Sequence, residues 1–237
     1  DPIFEGIFQS AALCVEKGLA SPKVVDAVAC KTLGLGVGPF TAMNLTGGNP
    51  ITQHGLNEMN TKVMKWFKSP RILDDQMASG KPWEAAGRGE KGVADPATEE
   101  KIATRLRGAY FGLVGEILQS GITSLGDLEM ALEIGLVINP PFAMMNEMGV
   151  RNAVELVRSY AKENEGFVVA SILTEQAQAD KPWKIPFLQR EDFGGVAVVT
   201  IKRPRVLNAL SRELFLQLKE EFQRIKRDAS VKGVVLT

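Results

Sequence analysis

Histidine is almost missing from this chain: His54 is the single one in 237 residues. No Ser, Cys or carboxylate pair is tied to it by motif, so it reads as a structural side chain. Cysteine is nearly as scarce. Cys14 and Cys30 form no CxxC and have no second cluster, which leaves a zinc site without a ligand set. Both lie in apolar helical patterns and read as buried thiols. Charge of one sign is not in excess, with 28 Lys plus Arg against 28 Asp plus Glu. Such a balance exerts no general pull toward nucleic acid or an anionic membrane. The N-terminus lacks a charged stretch followed by an apolar one, so no secretory signal is visible. Residues 32–57 carry no charge, yet their six glycines and two prolines break any run long enough to span a bilayer. A cytoplasmic protein with no membrane span and no nucleic-acid partner is expected.

What the chain does have is apolar content: 45% hydrophobic residues and 24% charged ones support a packed core in one or two domains. It also has an internal echo. "GKPW" at 80–83 returns as "DKPW" at 180–183, and "EKGLASPKVVDAV" (16–28) aligns with "QSGITSLGDLEMA" (119–131). After one deletion "GPFTAMNLTG" (38–47) aligns with "PPFAMMNEMG" (140–149), placing Pro39, Phe40, Met43, Asn44 and Gly47 over Pro141, Phe142, Met145, Asn146 and Gly149.

Each copy predicts helices. Phe4, Ile7, Phe8, Ala11, Ala12 and Val15 follow helical spacing, as do Tyr110, Phe111, Val114, Ile117 and Leu118. Gly18 and Gly121 suit the position just past a helix, where φ is positive. Ser21 before Pro22, and Ser124 three residues before Asp127, read as N-caps. The expected fold is mainly α. Two homologous helical repeats, 1–100 and 101–185, pack about a pseudo-twofold because each leaves a similar apolar face uncovered.

Lys181–Asp192 collects proline, tryptophan and charge and reads as a linker. "GVAVVTI" (195–201) reads as a strand, Ser211 caps a helix with a Leu214, Phe215, Leu218, Phe222, Ile225 stripe, and "GVVLT" (233–237) is a second strand. Such a β-α-β piece is too small to bury its own sheet. Val196, Val198, Val199 and Ile201 are expected to lack partners.

Four further signals have competing readings. "GLGVG" (34–38) suggests a dinucleotide loop, but it follows a helix rather than a strand, so it reads as a helix-to-helix connection. Met43, Met144 and Met145 suit either an acyl channel or, more simply, the core. The charge-rich stretch 87–101 is a solvated loop or an interaction surface. "KRPRVLNALS" (202–211) carries Arg203 and Arg205, whose guanidinium groups suit phosphate. A basic turn without ligand is the plain alternative.

Residues 1 to about 180 resemble the C-terminal helical region of the 3-hydroxyacyl-CoA dehydrogenase family, through "GLASPKVVDAV" and "GLGVGPFTAMNLTG". The second copy follows the same order more weakly. Residues 193–237 resemble the start of the enoyl-CoA hydratase (crotonase) family, through "VAVVTIKRPRVLNALS" and "VKGVVLT". The pair resembles a bifunctional enzyme of fatty-acid β-oxidation. The resemblance implies a 6-phosphogluconate-dehydrogenase C-terminal-like fold for the helical repeats and a crotonase piece at 193–237. It implies NAD as cofactor of the parent protein, bound by a Rossmann domain outside this chain, and acyl-CoA as substrate. In that parent a His base and a Glu would serve hydride transfer, and a hydratase would add water to an enoyl-CoA. All those catalysts are expected outside this chain, which alone is expected to be inactive. The partners implied are the Rossmann domain, the remaining crotonase domain and a further copy in a homo-oligomer. Carried over residue by residue, Arg205, Val206 and Leu207 match the turn that contacts the CoA nucleotide. Pro39, Phe40 and Met43 match the region near the acyl site and subunit interface. The rival expectation is a non-catalytic helical interaction module of the same fold.

Overall fold

A proline in the first turn recurs among these helices, where its missing N–H costs nothing and its fixed φ favours the helix. In the computed structural model, which describes residues 1–45, 47–85 and 92–237, α1 (Pro2–Glu16), α2 (Pro22–Leu33), α3 (Pro39–Leu45), α6 (Pro96–Gln119) and α8 (Pro141–Met148) all begin on one. The other helices among the described residues are α4 (Asn49–Lys62), α5 (Arg71–Ser79), α7 (Leu125–Gly135), α9 (Val150–Glu163), α10 (Ser171–Ala179) and α11 (Arg212–Arg227). Of the charge-rich stretch 87–101, residues 87–91 lie outside the described residues.

The chain divides into two units, Asp1–Ile122 with Val137–Trp183, and Thr123–Leu136 with Lys184–Thr237. In the first, α6 packs against α1, α2 and α9. Ile102, Leu106, Tyr110, Phe111 and Val114 are fully buried along it. Gly108 permits the close approach to α9: a Cβ there would lie 2.7 Å from the Leu156 carbonyl oxygen. Beyond it Trp66, Tyr160 and Phe167 form an edge-on triad with ring centroids 4.8–5.8 Å apart. Burial of such rings is the largest apolar contribution per residue.

Helix punctuation follows the expected chemistry with one exception. Gly18 and Gly121 stand just after α1 and α6 with φ of 69° and 73°. The Ser124 hydroxyl accepts from the Asp127 amide at 3.2 Å. Ser21 occupies the N-cap of α2 but makes no side-chain cap bond.

The second unit contains α7, α11 and a three-stranded sheet. Strand β1 (Leu188–Phe193) runs antiparallel to β2 (Val196–Ile201), which pairs in parallel with β3 (Gly233–Leu236). The expectation of a linker through Asp192 is therefore corrected: its last residues are a strand. The sequence LQREDF hides it because only its two ends are apolar. The signal lay in Gly194–Gly195, whose φ values of 55° and 88° supply the two-residue turn a tight hairpin requires. The helical stripe is also narrower than expected. Leu214, Leu218 and Ile225 are buried, whereas Phe215 and Phe222 are 57% and 40% exposed. The expected lack of partners is corrected on one sheet face. Ala197 and Val199 are buried under α11, with Phe187, Leu188, Ile201 and Val231 packed around them. Arg190 ties β1 to that helix, reaching Asp228 at 2.9 Å and Glu221 at 3.5 Å.

Candidate functional site

In the first unit a cleft of about 700 Å³ opens beside α2. Its walls are mostly apolar, with Ala27, Val28, Val37, Val93 and Ala94, and its polar groups are Asp26, Cys30, Lys31, Thr41 and Glu99. Val37 and Val93 are 45% and 81% exposed, so the apolar lining is open to a ligand. Lys31 and Glu99 are paired across it.

Asp26 sets the shape of this cleft. It is nearly buried on α2, and its carboxylate accepts from the Phe40 amide (2.8 Å), the Thr41 amide (2.9 Å) and the Thr41 hydroxyl (2.7 Å). These bonds satisfy amides at the start of α3 that would otherwise have no acceptor. Gly38 is required for this arrangement, since a Cβ there would stand 2.3 Å from the Asp26 carboxyl carbon. Burial pushes the Asp26 pKa up, and the bonds from Thr41 and Phe40 oppose that rise. The Cys30 thiol is also pushed up, first by burial and then by Asp26, so it is a poor nucleophile. Burial pushes Cys14 up to about 12. His54 is exposed on α4.

Pro39, Phe40 and Met43 are buried. Phe40 lies edge-on to Trp83 at 4.8 Å, and it is Gly38 and Thr41, on either side of Pro39 and Phe40, that line the cleft. Met145 is fully buried and Met144 partly so. "GLGVG" connects α2 to α3, with Gly34 in the left-handed region at φ 72°. Because Asp26 already takes the amides at the start of α3, a dinucleotide pyrophosphate does not fit there. Sequence reasoning missed Asp26. Its signal was a lone carboxylate inside the apolar pattern VVDAVA.

In the second unit the basic segment ends β2 and turns through a 3-10 helix at Pro204–Val206. Leu207 and Asn208 follow with φ of 51° and 56°. Asn208 closes the turn, its amide donating to the Arg203 carbonyl at 2.9 Å and its Oδ1 accepting from the Arg203 amide at 2.8 Å. The turn therefore projects Val206 and Leu207 outward, 44% and 92% exposed. Arg205 reaches Glu133 at 3.3 Å.

Comparison with known proteins matches two segments of the chain to known families. Residues 2–90 match the family described as 3-hydroxyacyl-CoA dehydrogenase, C-terminal domain. Residues 191–237 match enoyl-CoA hydratase/isomerase. Two acyl-CoA enzyme families are joined in one chain. A 48-residue stretch is 40% identical to an Arabidopsis thaliana protein named "Probable enoyl-CoA hydratase 1, peroxisomal". That match covers 20% of this chain and 18% of the relative, so the chain spans less than a fifth of it. No solved structure matches the chain. The dehydrogenase family implies NAD in related enzymes. Among the described residues no helix is long and apolar enough to cross a membrane, and no group of three or more His, Cys, Asp or Glu could hold a metal ion.

Proposed function

We propose that this chain supplies the acyl-CoA-side helical domain and assembly interface of a bifunctional 3-hydroxyacyl-CoA dehydrogenase/enoyl-CoA hydratase of cytoplasmic fatty-acid β-oxidation. The observation that carries the reading is the succession of the two family matches in one chain. A module kept only for binding has little use for a hydratase segment. In this reading the catalytic groups and the NAD site of the parent belong to other domains. The chain's own contribution is to bind and position the thioester. Arg205, Val206 and Leu207 would meet the CoA nucleotide. The region of Pro39, Phe40 and Met43 would lie near the dehydrogenase's acyl site or subunit interface, with Gly38 and Thr41 at the surface of the cleft.

The same reading takes residues 101–185 as a second copy of the helical domain, related to the first by a pseudo-twofold. Several paired observations support it. Helices α1–α5 and α6–α10 follow one another in the same order with similar breaks. Phe40 meets Trp83 at 4.8 Å and 61°, and Phe142 meets Trp183 at 4.9 Å and 63°. Gln76 donates to the carbonyls of Lys81 and Pro82, and Gln176 to those of Lys181 and Pro182.

Equilibrium dialysis against 3-hydroxybutyryl-CoA and against 3-hydroxybutyrate tests the proposal. Retention of the thioester and not of the free acid is expected. Retention of neither, with concentration-dependent self-association, would favour the interaction module instead.

A further inference from the structure

Each cation of the basic segment Lys202–Arg205 already has a binding partner within the second unit. Lys202 Nζ donates to Asp127 Oδ1 at 2.5 Å and to Gln189 Oε1 at 2.7 Å. Arg203 lies over the Phe187 ring, 4.7 Å from its centroid, and donates to the Ala209 carbonyl at 2.5 Å. Arg205 Nη1 donates to Glu133 Oε1 at 3.3 Å. The two carboxylates both come from α7, more than seventy residues earlier in sequence. Lys202, and then Ser124, hold the Asp127 carboxyl below the usual carboxylate range, so it is ionised at neutral pH. Charged N–H groups donate to carboxylate and phosphate oxygens in the same geometry. Helix α7 thus presents to this turn what a phosphate group would otherwise present.

We infer that α7 is an internal pseudo-ligand of the Lys202–Leu207 turn: Asp127 and Glu133 occupy the donors that the phosphates of a CoA-type nucleotide would take, and such a ligand displaces Glu133 from Arg205 to bind. The inference rests on the reading of this turn as a CoA contact. Arg205 is the arm that moves. Its side chain is 57% exposed, against 21% for Lys202, and its pair is longer by 0.8 Å (3.3 against 2.5 Å). Lys202 is held by two acceptors and remains in place. Arg203 is fixed by its ring and carbonyl contacts and keeps the turn's shape while Arg205 exchanges carboxylate for phosphate. The turn would then bind weakly on its own because each ligand must first break an ion pair.

Calorimetric titration of the whole chain with free CoA at low salt tests this, using wild type, E133Q, R205M and the double variant. Exposed pairs are weak, so E133Q is expected to bind CoA about two- to fivefold tighter than wild type. R205M is expected to weaken binding in both backgrounds. If R205M weakens binding while E133Q leaves it unchanged, the pseudo-ligand is overturned and the CoA contact stands. If R205M changes nothing, or if no variant binds CoA, the reading of the turn falls and the inference with it. The Glu133 carboxyl carbon resonance in the wild-type chain gives an independent readout should E133Q fail to fold. CoA is expected to shift it, and no shift at saturation overturns the displacement.

Discussion

Asn146 holds Trp183 at both backbone groups: its Nδ2 donates to the Trp183 carbonyl at 3.0 Å and its Oδ1 accepts from the Trp183 amide at 2.7 Å. Asn44 does the same for Trp83, at 3.0 and 2.8 Å. Each pair pins the segment after a short helix back onto the helix that carries the asparagine. Truncation to alanine leaves two backbone groups without their acceptor and donor. Asn146→Ala and Asn44→Ala are each expected to destabilise the first unit by about 2–4 kcal/mol in urea unfolding. A loss below about 0.5 kcal/mol would show that water replaces the asparagine freely.

The two tryptophans differ at the indole. Trp83 Nε1 donates to Asn49 Oδ1 at 2.6 Å, whereas Trp183 Nε1 is buried with no acceptor among the described residues. Asn49 opens α4, and Val150 opens α9. Asn49→Val should therefore give Trp83 the same orphaned indole and cost about 1–3 kcal/mol. A thermal melt of this variant checks the asymmetry.

Asp26 makes three hydrogen bonds from a site that is 4% exposed. Asp26→Ala is expected to cost about 3–5 kcal/mol, since a nearly buried network loses its acceptor. Faster amide exchange at Phe40 and Thr41 than elsewhere in α3 would locate the loss.

Burial raises the Glu5 pKa to about 7, and its Oε2 has no hydrogen-bond partner among the described residues. The unfolded carboxyl titrates near 4.5. The folded chain therefore binds the proton more tightly, so stability is greatest below that value. It falls as pH rises from about 4.5 through 7 and is level above. Glu5→Gln should remove this slope. It is expected to stabilise the chain by roughly 1 kcal/mol at pH 8, after allowing for solvent screening of a half-buried group, and by little at pH 4. A wild-type melting temperature that climbs steadily from pH 5 to pH 8 would contradict the sign.

Helical periodicity made most of the first unit legible, because Ile7, Ala11, Phe111 and Val114 are spaced by one side of a helix and buried there. Strand β1 was not legible by the same means. Its polar run LQREDF pairs through its backbone, and side-chain pattern carries little trace of that. The turn at Lys202–Leu207 could be read from its arginines, but the carboxylates that face it could not. Asp127 and Glu133 sit on a helix whose local sequence reads as an ordinary amphipathic segment, and only folding brings them to Lys202 and Arg205. Asp26 was hidden for the same reason: the groups that donate to its carboxylate lie in the next helix.

That both matched segments handle an acyl-CoA is tested most directly by residue-resolved NMR titration with 3-hydroxybutyryl-CoA. Backbone amides of Arg205–Asn208 and of Val37–Thr41 are each expected to shift on titration, each stretch with its own saturation curve. Saturating ligand that leaves both stretches unmoved, or that shifts only residues remote from the cleft and the turn, would contradict it.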